Sequence, residues 1–250
     1  MDERIAERRR GVERDRRRRR GRLAVIGLVI VAVATAGALV ERSPLVALAE
    51  VQVVGADRLE PRDVRAAADL PLGTSTLRLR LRAARERVEA LPLVRSATVQ
   101  RVDPLTVRVT VRERVPELVV TTSRGAVLVD GTGLVIDRGG VAGLARVATT
   151  AAHPPAPGSA ITALPAAANA VAVHAALPGP LRAEVVRYEP RADDDVDLIL
   201  RSGLRVRFGR ADHVAEKART LGALLPDLEP ALVALVDVRA PSNPVVLPQA

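Results

Sequence analysis

The longest apolar run in the chain is 23–40, LAVIGLVIVAVATAGALV, eighteen residues without a charge, an amide or a proline. As a helix it would reach roughly 27 Å, close to the ~30 Å of a hydrocarbon core. Ten of its residues are Leu, Ile or Val, each worth about −0.3 to −0.6 kcal/mol on an insertion scale. The pattern therefore predicts one transmembrane helix over 23–40. A basic tail (1–22) precedes it, and a linker (41–49) and 201 further residues follow.

After the linker the pattern changes period. Val51 and Val53 alternate with polar positions and lead to Gly55, a short strand and a turn. Pro61–Leu70 reads as a helix with Pro61 at its first position. Leu81, Ala84, Val88 and Leu91 share one face of a second helix, which Pro92 ends. Val94–Val102 and Leu105–Glu113 are alternating strands; in the second, Val107, Val109 and Val111 alternate with Arg108, Thr110 and Arg112. The order is β-α-α-β-β.

Short strands then dominate. They are expected over Glu117–Thr122, Ala126–Asp130, Leu134–Asp137, Leu181–Tyr188, Val196–Arg201, Leu204–Phe208 and, last, Leu232–Val238. Thr149–Ser159 is a proline-rich loop. Leu164–Leu177 and Asp212–Leu225 are helical, the latter stopped by Pro226. The fold class is α+β: one transmembrane helix, a β-α-α-β-β domain over 50–116, and a β-rich domain over 117–241 with a C-terminal helix and edge strand. Residues 242–250 read as a tail.

Charge sets the orientation. Residues 1–22 hold eleven Arg against five acids, a net of +6, whereas Glu41 and Arg42 beyond the run cancel. Positive flanks stay cytoplasmic, so residues 41–250 are expected outside, in a single-pass type II arrangement at the plasma membrane. Arg16–Arg20 could also serve as a nucleic-acid arm, but topology and anionic lipid account for the same arginines and no nucleic-acid partner is expected. A rival reading is a cleaved signal peptide, since Ala47-Leu48-Ala49 has the A-x-A form. The apolar run is longer than a signal core, and the triplet lies well beyond its end.

Composition narrows the chemistry. Tyr188 and Phe208 are the only aromatics, so the core is aliphatic, and there is no cysteine to form a disulfide or thiolate site. His153, His174 and His213 lie on separate elements, not at metal spacing. Asp193-Asp194-Asp195-x-Asp197 resembles a calcium loop but lacks its Gly and Glu, so a hairpin turn is expected. Glu113 and Arg114 read as a surface ion pair at a strand end. With no nucleophile set or phosphate loop, no catalytic residue, cofactor or metal is expected.

Pro92, Val94, Ala97, Val99, Arg101, Pro104, Thr106, Val107, Val109, Val111, Glu113, Arg114 and Pro116, with Val51-x-Val53-x-Gly55 ahead, resemble a POTRA domain of the FtsQ/DivIB family. Val127-Leu-Val-Asp-Gly-x-Gly-Leu-Val135 resembles the start of that family's β-domain. V-x-F-G at 206–209, Lys217, Leu221, Leu224-Leu225 and Val236-Asp-Val-Arg239 resemble its C-terminal part. The resemblance implies a non-enzymatic scaffold of the bacterial division septum. Its implied partners are FtsB/DivIC and FtsL, then FtsW and the septal transpeptidase. It places partner binding at Val238, Arg239, Ala240 and Pro241, with Leu232–Val238 as the open edge strand; Ala240 stands where an aromatic residue can follow the arginine. The alternative is a secreted or membrane-anchored envelope-processing protein with a β-rich domain.

Overall fold

The computed structural model describes residues 25–37, 39 and 41–249. The basic tail, Leu23, Ala24, Ala38 and Val40 lie outside them. Residues 25–37 form helix α1. Among the described residues, no helix is long and apolar enough to cross a membrane.

The chain divides into two compact units. Among the described residues, the first comprises those up to Val54, Pro61–Arg85 and Thr98–Thr110; the second comprises Gly55–Glu60, Glu86–Ala97 and those from Val111 on.

The expected β-α-α-β-β order is present: β1 (Glu50–Val54), α2 (Pro61–Ala68), α3 (Leu81–Glu89), β2 (Val94–Arg101) and β3 (Thr106–Glu113). The sheet order is β1-β3-β2, with β1 parallel to β3 and Val51 beside Val107. Val64, Ala68, Ala84, Val88, Val107 and Val109 have no exposed surface. Two residues of the motif have structural causes. Gly55 has φ +78°, and a Cβ there would run into the Val111 carbonyl. Glu113 does not pair with Arg114. Its carboxylate accepts hydrogen bonds from the amides of Asp57, Arg58 and Leu59 at 2.9–3.1 Å, so the expected surface ion pair is corrected to a loop anchor.

The second unit carries a nine-stranded sheet. Its strands are β4 (Leu118–Thr122), β5 (Gly125–Val129), β6 (Val135–Arg138), β7 (Ala145–Ala148), β8 (Val185–Ala192), β9 (Asp195–Leu200), β10 (Arg205–Arg207), β11 (Val233–Asp237) and β12 (Val245–Pro248). The order across the sheet is β12-β11-β10-β9-β8-β7-β4-β5-β6. Leu118-Val119-Val120 is apolar throughout because both faces are covered. Leu118 and Val120 join the main core, and Val119 joins a smaller cluster with Leu128 and Ile136. Helices α4 (Pro165–Ala176) and α6 (Val214–Leu224) supply Ala167, Ala170, Val173, Ala218 and Leu221 to the main core. Residues 181–184, expected at the start of a strand, belong instead to helix α5 (Gly179–Glu184). Pro178 and Pro180 withhold ladder donors there, and the strand begins at Val185. β7 and β12, of four residues each, were not expected.

Asp130 fixes the start of this unit. Its carboxylate accepts from the Thr132 amide (2.9 Å), the Thr132 hydroxyl (2.6 Å), the Leu134 amide (3.0 Å) and Arg114 Nη1 (2.7 Å). Burial alone would raise its pKa, but these bonds outweigh it and hold the carboxyl below its ordinary value. Arg114 also donates from Nε to the Val94 carbonyl at 3.1 Å.

The only tyrosine finds a buried partner. Tyr188 and His174 share a 2.8 Å hydrogen bond through His174 Nδ1. Burial lowers the His174 pKa to about 4, with Arg182 adding in the same direction. The native state thus holds a neutral ring where the unfolded chain would titrate near pH ~6.5. Because the folded pKa is the lower one, stability is undiminished above pH ~6.5 and is lost as pH falls toward 4. The loss reaches about 3 kcal/mol. Chemical denaturation at pH 7, 6 and 5 should show this decline, and His174→Gln should flatten it.

Candidate functional site

The sequence placed partner binding at Val238–Pro241 on an open edge strand. β11 is not an edge. It lies between β10, to which it is parallel with Val206 beside Val236, and β12, to which it is antiparallel with Val236 beside Val246. Val238 is fully buried, and its N–H donates to the Arg207 carbonyl at 3.0 Å. The Leu232–Val238 edge and the free Val238 donor are therefore corrected: the chain turns at Ala240–Pro244, returns, and covers that side. The segment 242–250, expected as a tail, contains the covering strand.

Arg239, Ala240 and Pro241 form the turn itself. Arg239 is half-exposed and grips Asp237, with Nε 3.1 Å from both carboxylate oxygens and Nη2 2.7 Å from Oδ2. Burial pushes the Asp237 pKa up, but the hydrogen bonds from Arg239 more than compensate and hold it below its usual range. The Ala240 carbonyl accepts from the Asn243 amide at 3.0 Å, and the Pro241 carbonyl accepts from the Thr220 hydroxyl of α6 at 3.1 Å. The turn is thus held to the helix behind it.

V-x-F-G at 206–209 now has a physical reason. Gly209 has φ +78°, and a Cβ there would sit 2.9 Å from Arg239 Cγ. The arginine stem crosses the glycine, so the two matching segments are one packed arrangement. Beside them is a cleft of about 280 Å³ lined by Asp194, Asp195, Gly209, Arg210, Asp212, Lys217 and Arg239. Lys217 is 2% exposed, sits 5.5 Å over the Phe208 ring and donates to the Arg210 carbonyl at 3.0 Å. It is a structural cation. Asp193 and Asp194 form the hairpin between β8 and β9. Asp197 is buried, its Oδ2 at 3.2 Å from Arg191 and 3.1 Å from Arg205. Among the described residues, no three His, Cys, Asp or Glu groups come together as a metal site.

β12 is the edge strand on this side of the sheet. Val245, Val246 and Leu247 are 46%, 38% and 46% exposed. The Gln249 N–H donates to the Leu232 carbonyl at 2.9 Å. Alternation along an antiparallel strand then turns Leu247 and Val245 toward β11 and Val246 outward. Pro248, the next outward position, has no N–H, and Pro244 precedes the strand. Val246 is the donor this edge offers. Sequence reasoning missed it because three apolar residues between two prolines carry no strand signal; the outward spacing of those prolines was the available clue.

The three-stranded fold with its Gly55 and Glu113 devices, followed by a sheet ending in this edge, defines a POTRA-type module with an FtsQ-like β-region. Residues 46–114 match the family model of the POTRA domain, FtsQ-type, and residues 118–239 match that of cell division protein FtsQ/DivIB, C-terminal. The cell division protein FtsQ of Mycobacteroides abscessus is 34% identical over 233 residues, covering 90% of this chain and 68% of that one. The FtsQ of Streptomyces coelicolor is 33% identical, covering 81% and 79%. That of Mycolicibacterium smegmatis is 32% identical, covering 88% of this chain and 62% of its own length, so this chain spans less than two thirds of it. The chain belongs to the FtsQ/DivIB family of cell division proteins.

Because the Val238 N–H is spent within the sheet, Val238→Pro should cost about 2 kcal/mol or more. A denaturant melt of the purified chain should show an earlier midpoint, whereas Val246→Pro should leave it nearly unchanged.

Proposed function

We propose that the chain is a single-pass membrane scaffold of the bacterial divisome whose β12 edge receives a strand from FtsB/DivIC. In this reading 1–22 is cytoplasmic and 23–40 spans the membrane. A POTRA domain over 50–116 and a β-domain that runs from 117 through β12 stand outside, at the division septum. FtsL joins the same complex, and through it FtsW and the septal transpeptidase are positioned for septal peptidoglycan synthesis. The role is binding, not catalysis.

The observation that carries the reading is the open edge at Val245–Pro248. Strand addition draws affinity from main-chain bonds and specificity from alternate side chains. Here an incoming strand would accept from the Val246 N–H and donate to the Val246 carbonyl, with the exposed Val245 and Leu247 on one face. Arg239, at the head of the turn, is paired with Asp237 and serves the edge by holding that turn in place. The relatives' names support the division role, and the uncharged run with its arginine-rich flank supports the membrane span.

The test is capture of FtsB/DivIC by the full chain in detergent. Val246→Pro should reduce binding about tenfold or more while the circular dichroism spectrum stays native. Arg239→Glu should weaken capture, and Arg101→Glu should leave it unchanged. Full capture by folded Val246→Pro would remove β12 as the docking edge. For the membrane arrangement, a reporter fused after Ala250 should be active only outside the cytoplasm; activity inside would reverse the orientation.

A further inference from the structure

We propose that the end of the first unit where β1 begins is seated in the headgroup layer of an anionic bilayer. The proposal rests on the reading of 23–40 as a membrane span. Three segments meet at this end. Residues 43–49 leave α1, and Ala47 bridges to Ser75. The Leu48 amide donates to the Thr74 carbonyl at 2.8 Å, and the Thr76 hydroxyl donates to the Pro104 carbonyl, also at 2.8 Å. The Leu105 carbonyl accepts from the Ala49 amide at 2.8 Å. Leu48 and Thr76 are each 1% exposed, so the end is built rather than loose.

What this built end presents is apolar. Leu45, Leu72 and Leu77 are 75%, 65% and 61% exposed. Leu72 and Leu77 come from a loop some thirty residues beyond the apolar run, so their exposure is not a continuation of it. Arg78 ties the two together, pairing with Glu41 at the end of the run; Nη2 lies 2.8 Å from Oε2. Arg42, Arg80 and Arg101 are exposed around the leucines, and Arg101 Nε is fixed on the Thr76 carbonyl at 2.7 Å. Glu41, Glu50, Asp69 and Asp103 are acids at this end; Glu41 is matched by Arg78, Asp69 follows α2 just before the Leu72 turn, and Asp103 accepts from the Leu105 amide at 2.8 Å.

Large apolar side chains ringed by arginines are the chemistry of an interfacial anchor. The side chains enter the boundary between headgroups and acyl chains, and the guanidinium groups meet phosphate. The occupant is lipid rather than another protein because the run at 23–40 ends only five residues before Leu45. Such seating would fix the tilt of the first unit on the membrane.

The chain has no cysteine, so one introduced cysteine carries one polarity-sensitive dye. The full chain is reconstituted into nanodiscs of phosphatidylcholine, with or without phosphatidylglycerol, doped with spin-labelled lipid. Dyes at Leu72→Cys and Leu77→Cys should be quenched, by roughly twofold more in the anionic discs. A dye at Val54→Cys, at the far end of β1 and ~13 Å away, should remain in water. Arg80→Glu should lower quenching at position 77. A chain that co-elutes with the discs but leaves both leucine positions unquenched overturns the proposal alone. A chain that does not enter the discs overturns the membrane reading and the proposal with it. Equal quenching in both lipids overturns the anionic part.

Discussion

The pairing of Val245–Pro248 along Val233–Asp237 decides what the end of the nine-stranded sheet can bind. Without it, β11 would expose its ladder groups and the strand would need a partner to be complete. With it, β11 is paired on both sides, by β12 as well as by β10, where the Val238 N–H bonds the Arg207 carbonyl, and the open edge moves outward by one strand. That pairing depends on the turn at Ala240–Pro244, which is held by the Ala240–Asn243 bond and by Thr220 of α6. The turn in turn depends on Arg239, whose stem crosses Gly209 while its guanidinium grips Asp237. A helix, a glycine and an ion pair thus converge on the position of one short strand.

The edge is guarded as well as offered. An exposed, unpaired strand invites pairing with any passing chain, and prolines are a common protection. Pro248 occupies an outward position, so β12 presents one amide donor, at Val246, rather than a row. Prolines placed this way cost the sheet nothing, because the inward positions Val245 and Leu247 keep their N–H groups for β11. A narrow donor set favours a partner that brings side-chain complementarity to Val245 and Leu247.

Much of the fold was legible because its periodicities are strong. Val107, Val109 and Val111 alternate with polar residues, Leu81, Ala84 and Val88 recur at helical spacing, and glycines and prolines punctuate both units. What was not legible depended on contacts distant in sequence. Glu113 looks like a partner for Arg114, and only the fold brings the amides of Asp57, Arg58 and Leu59 to its carboxylate. Leu181 leads into Val185 and Val186 and reads with them as strand, yet Pro178 and Pro180 ahead of it favour a helical turn. The candidate site was only partly legible: Val236-Asp-Val-Arg239 pointed to the β11 end of the sheet, but the strand that forms its edge lies beyond residue 239, where the family match ends.

Amide hydrogen exchange at Val246, in the free chain and with FtsB/DivIC bound, tests the central claim most directly. Val246 should exchange fast in the free chain and become protected in the complex, while Leu247, already bonded to β11, should be slow in both. A Val246 amide that still exchanges freely in the saturated complex would contradict docking at this edge.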